Sequence, residues 1–181
     1  TIPIRSLEYR RSINLAIKQA SGRIVVVMDS DIRVPRGAIG TLIERLYSSD
    51  RIGMVVPALY YPSGNLQKST DRFPTLPSKV TRFFFLKHIE AREFRTHISV
   101  GVRDVEYAIS AFWVLKREVM ERIGLFDERI FYAPEDVDYC LRVWKGGYRI
   151  ILDQNVAVTH DAQEISRGFR INRAKIQHLL G

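Results

Sequence analysis

Two acidic clusters and one histidine hold most of the chemistry available to this 181-residue chain. The apolar stretch Ile24-Val25-Val26-Val27-Met28 runs directly into Asp29-Ser30-Asp31. A buried strand that delivers two carboxylates to a sheet edge offers hard oxygen ligands to a divalent cation. The carboxyl ends of strands are also where open α/β sheets bind ligands. Much later come Glu135-Asp136-Val137-Asp138 and, after Val156-Ala157-Val158-Thr159, the histidine His160. A metal site, a general base and a third ligand are therefore on offer. Each feature also has a plain structural explanation. Aspartate is common at strand ends and helix caps. Glu135, Asp136 and Asp138 follow Pro134 at the first turn of an expected helix, where the macrodipole favours anions. A lone histidine is more often held by neighbours than by metal.

The elements that must position these residues alternate along the chain. Leu7, Ile13, Ala16, Ile17 and Ala20 follow helical spacing, Ser21-Gly22 ends that helix, and residues 23–28 read as a buried strand. Pro35 precedes a second amphipathic helix with Ile39, Leu42, Ile43 and Leu46 on one face, followed by a strand over 52–56. Residues 57–77 carry turn signals at Pro62-Ser63-Gly64-Asn65 and Phe73-Pro74, which predicts a loop-rich excursion with a hairpin. A strand is expected over 105–115, a short helix over 117–123 and a turn at Gly124-Leu125-Phe126-Asp127. Pro134 opens a helix through Trp144, Gly146-Gly147 ends it, and strands are expected over 148–152 and 156–159. From Glu164 onward the chain reads as a basic helix. This alternation predicts an α/β fold with helices packed on a mixed, mostly parallel sheet. No repeat or linker divides it, so residues 1–181 are read as one domain: a first portion over 1–60 that holds Asp29 and Asp31, a connecting portion over 61–104 and a second half over 105–181.

Lysine and arginine number 28 against 20 aspartates and glutamates, a net charge of +8. That balance attracts nucleic acid, anionic lipid or phosphorylated substrates. Much of the excess lies in residues 79–103, where Lys79, Arg82, Lys87, Arg92, Arg95 and Arg103 alternate with Phe83-Phe84-Phe85-Leu86 and Phe94. Such a segment suits peripheral contact with an anionic membrane, and it equally suits an ordinary helix with a solvated face and an aromatic core face. No zinc-ligand pattern, basic zipper or RNA-recognition aromatic motif accompanies the charge, so specific nucleic-acid binding is not expected. The single Cys140 allows no internal disulfide and fits a reducing compartment. No apolar run approaches the ~20 residues that span a bilayer. The opening Thr1-Ile2-Pro3-Ile4-Arg5 lacks the layout of a signal peptide. The expected address is the cytoplasm, at most peripheral at the inner face of the cell membrane.

Order and spacing bring these motifs together. Asn14-Leu15-Ala16-Ile17, Ala20-Ser21-Gly22 and Val25-Val26-Val27-Met28-Asp29-Ser30-Asp31 resemble the middle of a family 2 glycosyltransferase of the GT-A fold. Val105-Glu106-Tyr107, Lys116-Arg117-Glu118, Ile123-Gly124-Leu125-Phe126-Asp127-Glu128 and Tyr132 through Arg142 are similar to the acceptor-side half of bacterial rhamnosyltransferase-like members. Gly147-Tyr148-Arg149-Ile150 and Val158-Thr159-His160 continue the likeness in order. Leu66-Gln67-Lys68-Ser69 with Arg72-Phe73-Pro74-Thr75 resembles that subgroup's connecting segment.

The resemblance implies an inverting, metal-dependent sugar transfer from a nucleotide-diphosphate sugar to a saccharide or lipid-linked acceptor in bacterial surface-polysaccharide synthesis. It implies that Asp29 and Asp31 contact the cation (Mn²⁺ or Mg²⁺) and the sugar nucleotide, and that His160 is a late metal or diphosphate ligand. Asp136 becomes the general base with Glu135 as the neighbouring alternative, since a shift of one residue exchanges them. Arg142 either meets the diphosphate or pairs with Asp138 at i and i+4.

Two departures stand out against that family. The chain begins at what resembles the helix before the metal-binding strand. Two βα units of roughly 30 residues each are then expected to be missing, with most of the nucleoside pocket. Ser110-Ala111 stands where the family usually shows Gly-Ala, and the added hydroxymethyl narrows the sugar pocket. Competing readings are a catalytically inactive glycosyltransferase-like interaction module and a phosphohydrolase whose D-x-D supplies nucleophile and acid. Ile32-Arg33 after Asp31 departs from the small Gly-Thr pair of the latter group.

Overall fold

The computed structural model describes residues 9–73, 101–130 and 134–162. The basic aromatic segment over 79–100 and the helix expected from Glu164 lie outside these residues, as do Phe131, Tyr132 and Ala133.

Helix α1 (Tyr9–Gln19) leads into strand β1 (Ile24–Met28). The short strand β2 (Ile32–Arg33), helix α2 (Ala38–Tyr47) and strand β3 (Ile52–Tyr60) follow. β3 then turns back through the expected hairpin. Tyr61 N donates to Asn65 O at 2.8 Å, Gly64 adopts the left-handed φ of 82° that the turn needs, and β4 (Leu66–Gln67) pairs with Leu59 and Tyr60. Beyond β5 (Thr70–Asp71) come β6 (Val102–Asp104), β7 (Tyr107–Ala108) and β8 (Phe112–Lys116). Then follow α3 (Arg117–Ile123), α4 (Glu135–Lys145) and β9 (Arg149–His160).

The sheet is mixed, in the order β1-β8-β3-β9-β2, with β4 joined to β3 and β6 to β9. The expected parallel majority is not present among the described residues. Among the described residues β3 with β9 is the parallel pairing, and the others are antiparallel. The physical reason is an inserted strand. β1 and β3 do run in the same direction, with α2 on the connection between them. β8 enters between them, antiparallel to both, through Val26↔Val114 on one side and Val55↔Val114 on the other.

Alternation along the strands feeds two cores, one on each face. Val25, Val27, Met54, Trp113 and Leu115 face α1, α3 and α4, which contribute Ile17, Val119, Met120, Tyr139, Cys140 and Val143. Val55, Leu59, Phe112, Val114 and Val158 face α2 through Ala38, Leu42 and Leu46. The result is a layer of helix, sheet and helix. Ile39 is exposed, so the apolar stripe of α2 is narrower than its sequence suggests. The buried side of α1 carries Arg10, Asn14 and Ile17, while Ala16 is exposed. The two expected late strands are one continuous β9. Its register against β3 breaks between Pro57↔Asp153 and Ala58↔Ala157, with residues 154–156 bulging between them. Asp153, 1% exposed, pins that bulge by accepting from Arg45 Nε and from Asn155 N and Nδ2.

Candidate functional site

The turn between β1 and β2 spans the width of the sheet. Met28 and Ile32 are four Cα steps apart, a reach of about 15 Å, whereas four strand spacings of a flat sheet amount to about 19 Å. The carboxyl edge must therefore curl, and the twist of the sheet and the bulge in β9 supply that bend. Asp29 N donates to Ala111 O at 3.0 Å, which anchors the start of the turn on the residue before β8. Asp161 N donates to Asp31 O at 3.0 Å, and Ile32 pairs with His160 in register, which anchors its end on β9.

This double anchoring brings Asp29, Asp31 and His160 together, with one ligand atom from each lying within 4.8 Å of the others. His160 Nε2 lies 3.4 Å from Asp31 Oδ1 and 4.0 Å from Asp29 Oδ2. Ligands about 2.1–2.2 Å from one octahedral cation are separated by roughly 3 Å when adjacent and roughly 4.3 Å when opposite. The observed separations fall in that interval, and the three residues offer a divalent cation two carboxylate oxygens, the ligand type that suits Mn²⁺ or Mg²⁺, together with one imidazole nitrogen. His160 is buried, while both aspartates are partly open to solvent, so the site has a closed back and an accessible front. Behind the ring, Nδ1 lies 2.8 Å from Gln67 Oε1.

The second cluster occupies the first turn of α4, and its three acids have different surroundings. Glu135 pairs with the buried Arg10 at 3.0 Å. Asp138 accepts from Arg142 Nε at 3.0 Å and Nη2 at 2.8 Å. Asp136 is partly buried, and its carboxylate accepts from Val137 N at 2.8 Å. Burial pushes its pKa up to about 6, the neighbouring charge of Glu135 adds to the rise, and nearby backbone amides and Arg10 oppose it.

Arg142 is engaged as a structural brace. Besides Asp138 it donates from Nη1 to Ile123 O at 3.0 Å and Leu125 O at 2.9 Å, and its guanidinium stacks over Tyr139. Of the two roles expected for it, the pairing with Asp138 is the arrangement present. A contact with diphosphate would require giving up these bonds.

The two clusters flank one short segment. Asp29 N bonds Ala111 O, while Cys140 Sγ, one helical turn after Asp136, bonds Ala108 O at 3.7 Å. Ser110 lies between those two carbonyls and is partly exposed. The start of the Asp29–Asp31 turn and the helix that carries Asp136 are thus both bonded to the segment over 108–111.

Sequence reasoning missed three contributors. Arg10 reads as an ordinary helix charge. Asn14 clamps the segment before α4 by donating to Phe126 O and Glu128 Oε1 and accepting from Phe126 N, all within 3.0 Å. Gln67 reads as an ordinary hairpin residue; its place in the hairpin that returns to the carboxyl edge is the available signal.

Comparison with known proteins follows the same lines. The family model for "Glycosyl transferase family 2" matches residues 4–124. The chain is 25% identical over 141 residues to N-acetylglucosaminyl-diphospho-decaprenol L-rhamnosyltransferase of Mycobacterium tuberculosis, covering 75% of this chain and 46% of that one. It is 27% identical over 168 residues to the O-antigen biosynthesis protein RfbC of Myxococcus xanthus, covering 89% of this chain and 12% of that one. The chain thus spans less than half the length of either relative. Among solved structures, GalNAc-T7 with UDP, GalNAc and Mn²⁺ superposes with a TM-score of 0.59 at 13% identity, over 84% of this chain and 30% of that one. Mannosyltransferase PcManGT from Pyrobaculum calidifontis, in complex with GDP-Man and Mn²⁺, gives 0.57 at 20% identity, over 92% and 39%. These likenesses establish a GT-A-type fold.

Proposed function

Because the chain belongs to glycosyltransferase family 2, we propose that it carries the metal and acceptor side of an inverting transferase. The reaction moves a sugar from a nucleotide-diphosphate donor to a saccharide or lipid-linked acceptor in bacterial surface-polysaccharide synthesis. The observation that supports this most is the meeting of Asp29, Asp31 and His160, drawn from both ends of the chain, within 4.8 Å. These three residues would hold the Mn²⁺ or Mg²⁺. A cation there supplies positive charge to a departing diphosphate. The acceptor named for the mycobacterial relative is diphospho-decaprenol-linked, which favours a lipid-linked substrate.

Asp136 is the proposed general base. As the acceptor hydroxyl attacks the anomeric carbon from the face opposite the diphosphate, the new C–O bond forms and the bond to the diphosphate breaks. The hydroxyl proton passes to the Asp136 carboxylate. A pKa of about 6 leaves Asp136 ionised at neutral pH and more basic than an ordinary aspartate. Glu135, held by Arg10, orients the turn instead. Arg142 and Asp138 fix α4 on the segment before it.

No helix among the described residues is long and apolar enough to cross a membrane. The proposed place of action is the cytoplasmic face of the membrane, where the basic aromatic sequence over 79–103 would meet anionic lipid. Flotation with vesicles of phosphatidylglycerol and of phosphatidylcholine tests this, and equal recovery with both would remove the membrane part. The functional test is calorimetric titration with UDP and with dTDP, with and without Mn²⁺. Binding that needs Mn²⁺ and disappears in Asp29→Asn and Asp31→Asn is the expected result. Binding that ignores both substitutions would overturn the assignment.

A further inference from the structure

We infer that Gln67 is the positioning residue that presents His160 to a divalent cation, by accepting the Nδ1 proton and turning the Nε2 lone pair toward Asp29 and Asp31. This rests on the reading of those three residues as a metal site.

The argument begins with register. Gln67 pairs with Leu59 on β3, and Leu59 pairs with Val158 on β9. Residues paired across a sheet share a face, and so do residues two apart on one strand. Gln67, Leu59, Val158 and His160 therefore all project from the face that packs on α2. Gln67 and His160 approach each other from the strands on either side of β3, near the point where β3 ends at Tyr60. Both side chains are buried there, at 8% and 6% exposure, so water does not compete for the contact.

Chemistry then fixes the proton. An imidazole has two ring nitrogens, and each here has a different environment: Nδ1 is 2.8 Å from Gln67 Oε1, and Nε2 faces the two carboxylates. An amide oxygen only accepts, so in this arrangement Nδ1 donates its hydrogen to Gln67, and Nε2 is the nitrogen available to a cation between the two carboxylates. That is the tautomer a metal requires, and the bond also fixes the ring's rotation about its long axis.

The test measures Mn²⁺ alone against the intact chain, by the electron paramagnetic resonance signal of the free ion, at a pH above 7. The chains compared are the parent, Asp31→Asn, Gln67→Leu and Gln67→Glu. Outer partners of ligating histidines typically contribute about 10–100-fold to metal affinity. Gln67→Leu is therefore expected to weaken Mn²⁺ binding by at least about 10-fold. Gln67→Glu, which keeps an acceptor at Nδ1, is expected to stay nearer the parent than Gln67→Leu does. Imidazole ¹⁵N shifts of His160 in the Mg²⁺-loaded parent give a readout that needs no variant to fold, and a protonated Nδ1 with a bare Nε2 is expected. Equal Mn²⁺ affinity in the parent and Asp31→Asn would overturn the inference through its premise. Loss in Asp31→Asn with parental affinity in Gln67→Leu would leave the metal site standing and overturn the role of Gln67. A proton on Nε2 in the loaded parent would do the same.

Discussion

Arg10 and Glu135 stand 125 positions apart in sequence, yet Arg10 Nη2 donates to Glu135 Oε2 at 3.0 Å, with 2% of the arginine side chain and 13% of the glutamate side chain exposed. The pair ties α1 to the first turn of α4, and with it the neighbouring Asp136. Removing one member of a buried ion pair leaves the other charge uncompensated, which typically costs about 3–5 kcal/mol. Arg10→Met is expected to destabilise the domain by an amount of that order in urea unfolding. Replacing both partners with apolar groups is often close to neutral, so Arg10→Met with Glu135→Met should recover most of the loss. A double variant as unstable as the single one would show that the pair does more than neutralise itself.

The environment of Asp136 predicts how activity responds to pH. Its pKa of about 6 is raised first by burial and then by Glu135, and lowered by Arg10. With Asp136 as the proposed base, the rate of sugar transfer should rise with pH through about 6 as its carboxyl ionises. Glu135→Gln removes a raising charge and should move that limb to lower pH, whereas Arg10→Met should move it higher. Initial rates at saturating donor across pH 5–9 measure both. Shifts in the same direction would count against Asp136 as the titrating base.

The same shift predicts that function and stability oppose each other at this residue. An acid whose folded pKa lies above its unfolded value of 3.8 binds more protons when folded at intermediate pH. Stability therefore falls as pH rises from about 4 through about 6, and the full penalty persists above that. Asp136→Asn should abolish transfer while raising stability at pH 8 by on the order of 1–3 kcal/mol, with little gain at pH 4. Denaturant unfolding at the two pH values distinguishes this from a uniform effect of the substitution.

What could be read from the sequence follows from how local each signal is. The strand ending in Asp29 and Asp31, the helix opened by Pro134 and the helix over Arg117–Ile123 are set by contiguous apolar spacing and capping residues, and they appear where expected. The insertion of β8 between β1 and β3 was not legible, because period-two alternation gives a strand's faces and not its neighbours. Nor were the buried partners Arg10, Asn14 and Gln67. Polar residues on an amphipathic element read as solvent-facing until their partners are known, and those partners lie 93 to 125 positions away.

The bonds of Arg142 separate its two expected roles by experiment. Its guanidinium bridges Asp138 and the carbonyls of Ile123 and Leu125, and so joins α4 to the end of α3. Hydrogen bonds to charged groups contribute about 1.5–3 kcal/mol each in favourable cases, and lysine cannot reproduce the planar fork. Arg142→Lys should lower stability by roughly 2–4 kcal/mol. The affinity for UDP with Mn²⁺, measured well below the melting temperature, should change by less than about twofold. A large loss of nucleotide affinity with unchanged stability would instead make Arg142 a diphosphate ligand.

Metal addition and removal should report on the carboxyl edge without any substrate. A ligand that binds only the folded state stabilises it by RT ln(1 + [L]/Kd), about 2.7 kcal/mol at 100 times Kd. Titrating Mn²⁺ should therefore raise the melting temperature progressively, and EDTA should reverse the rise. The effect should vanish in Asp31→Asn, which removes a carboxylate whose Oδ1 lies 3.4 Å from His160 Nε2. In the metal-free chain, the same substitution should leave the melting temperature within a few degrees of the parent. Asp31 is partly exposed, and its neighbour His160 keeps Gln67 as a partner. If instead Asp31→Asn melts far below the parent without metal and still responds to Mn²⁺, the carboxylate serves the turn between β1 and β2, and the cation must bind elsewhere on the chain.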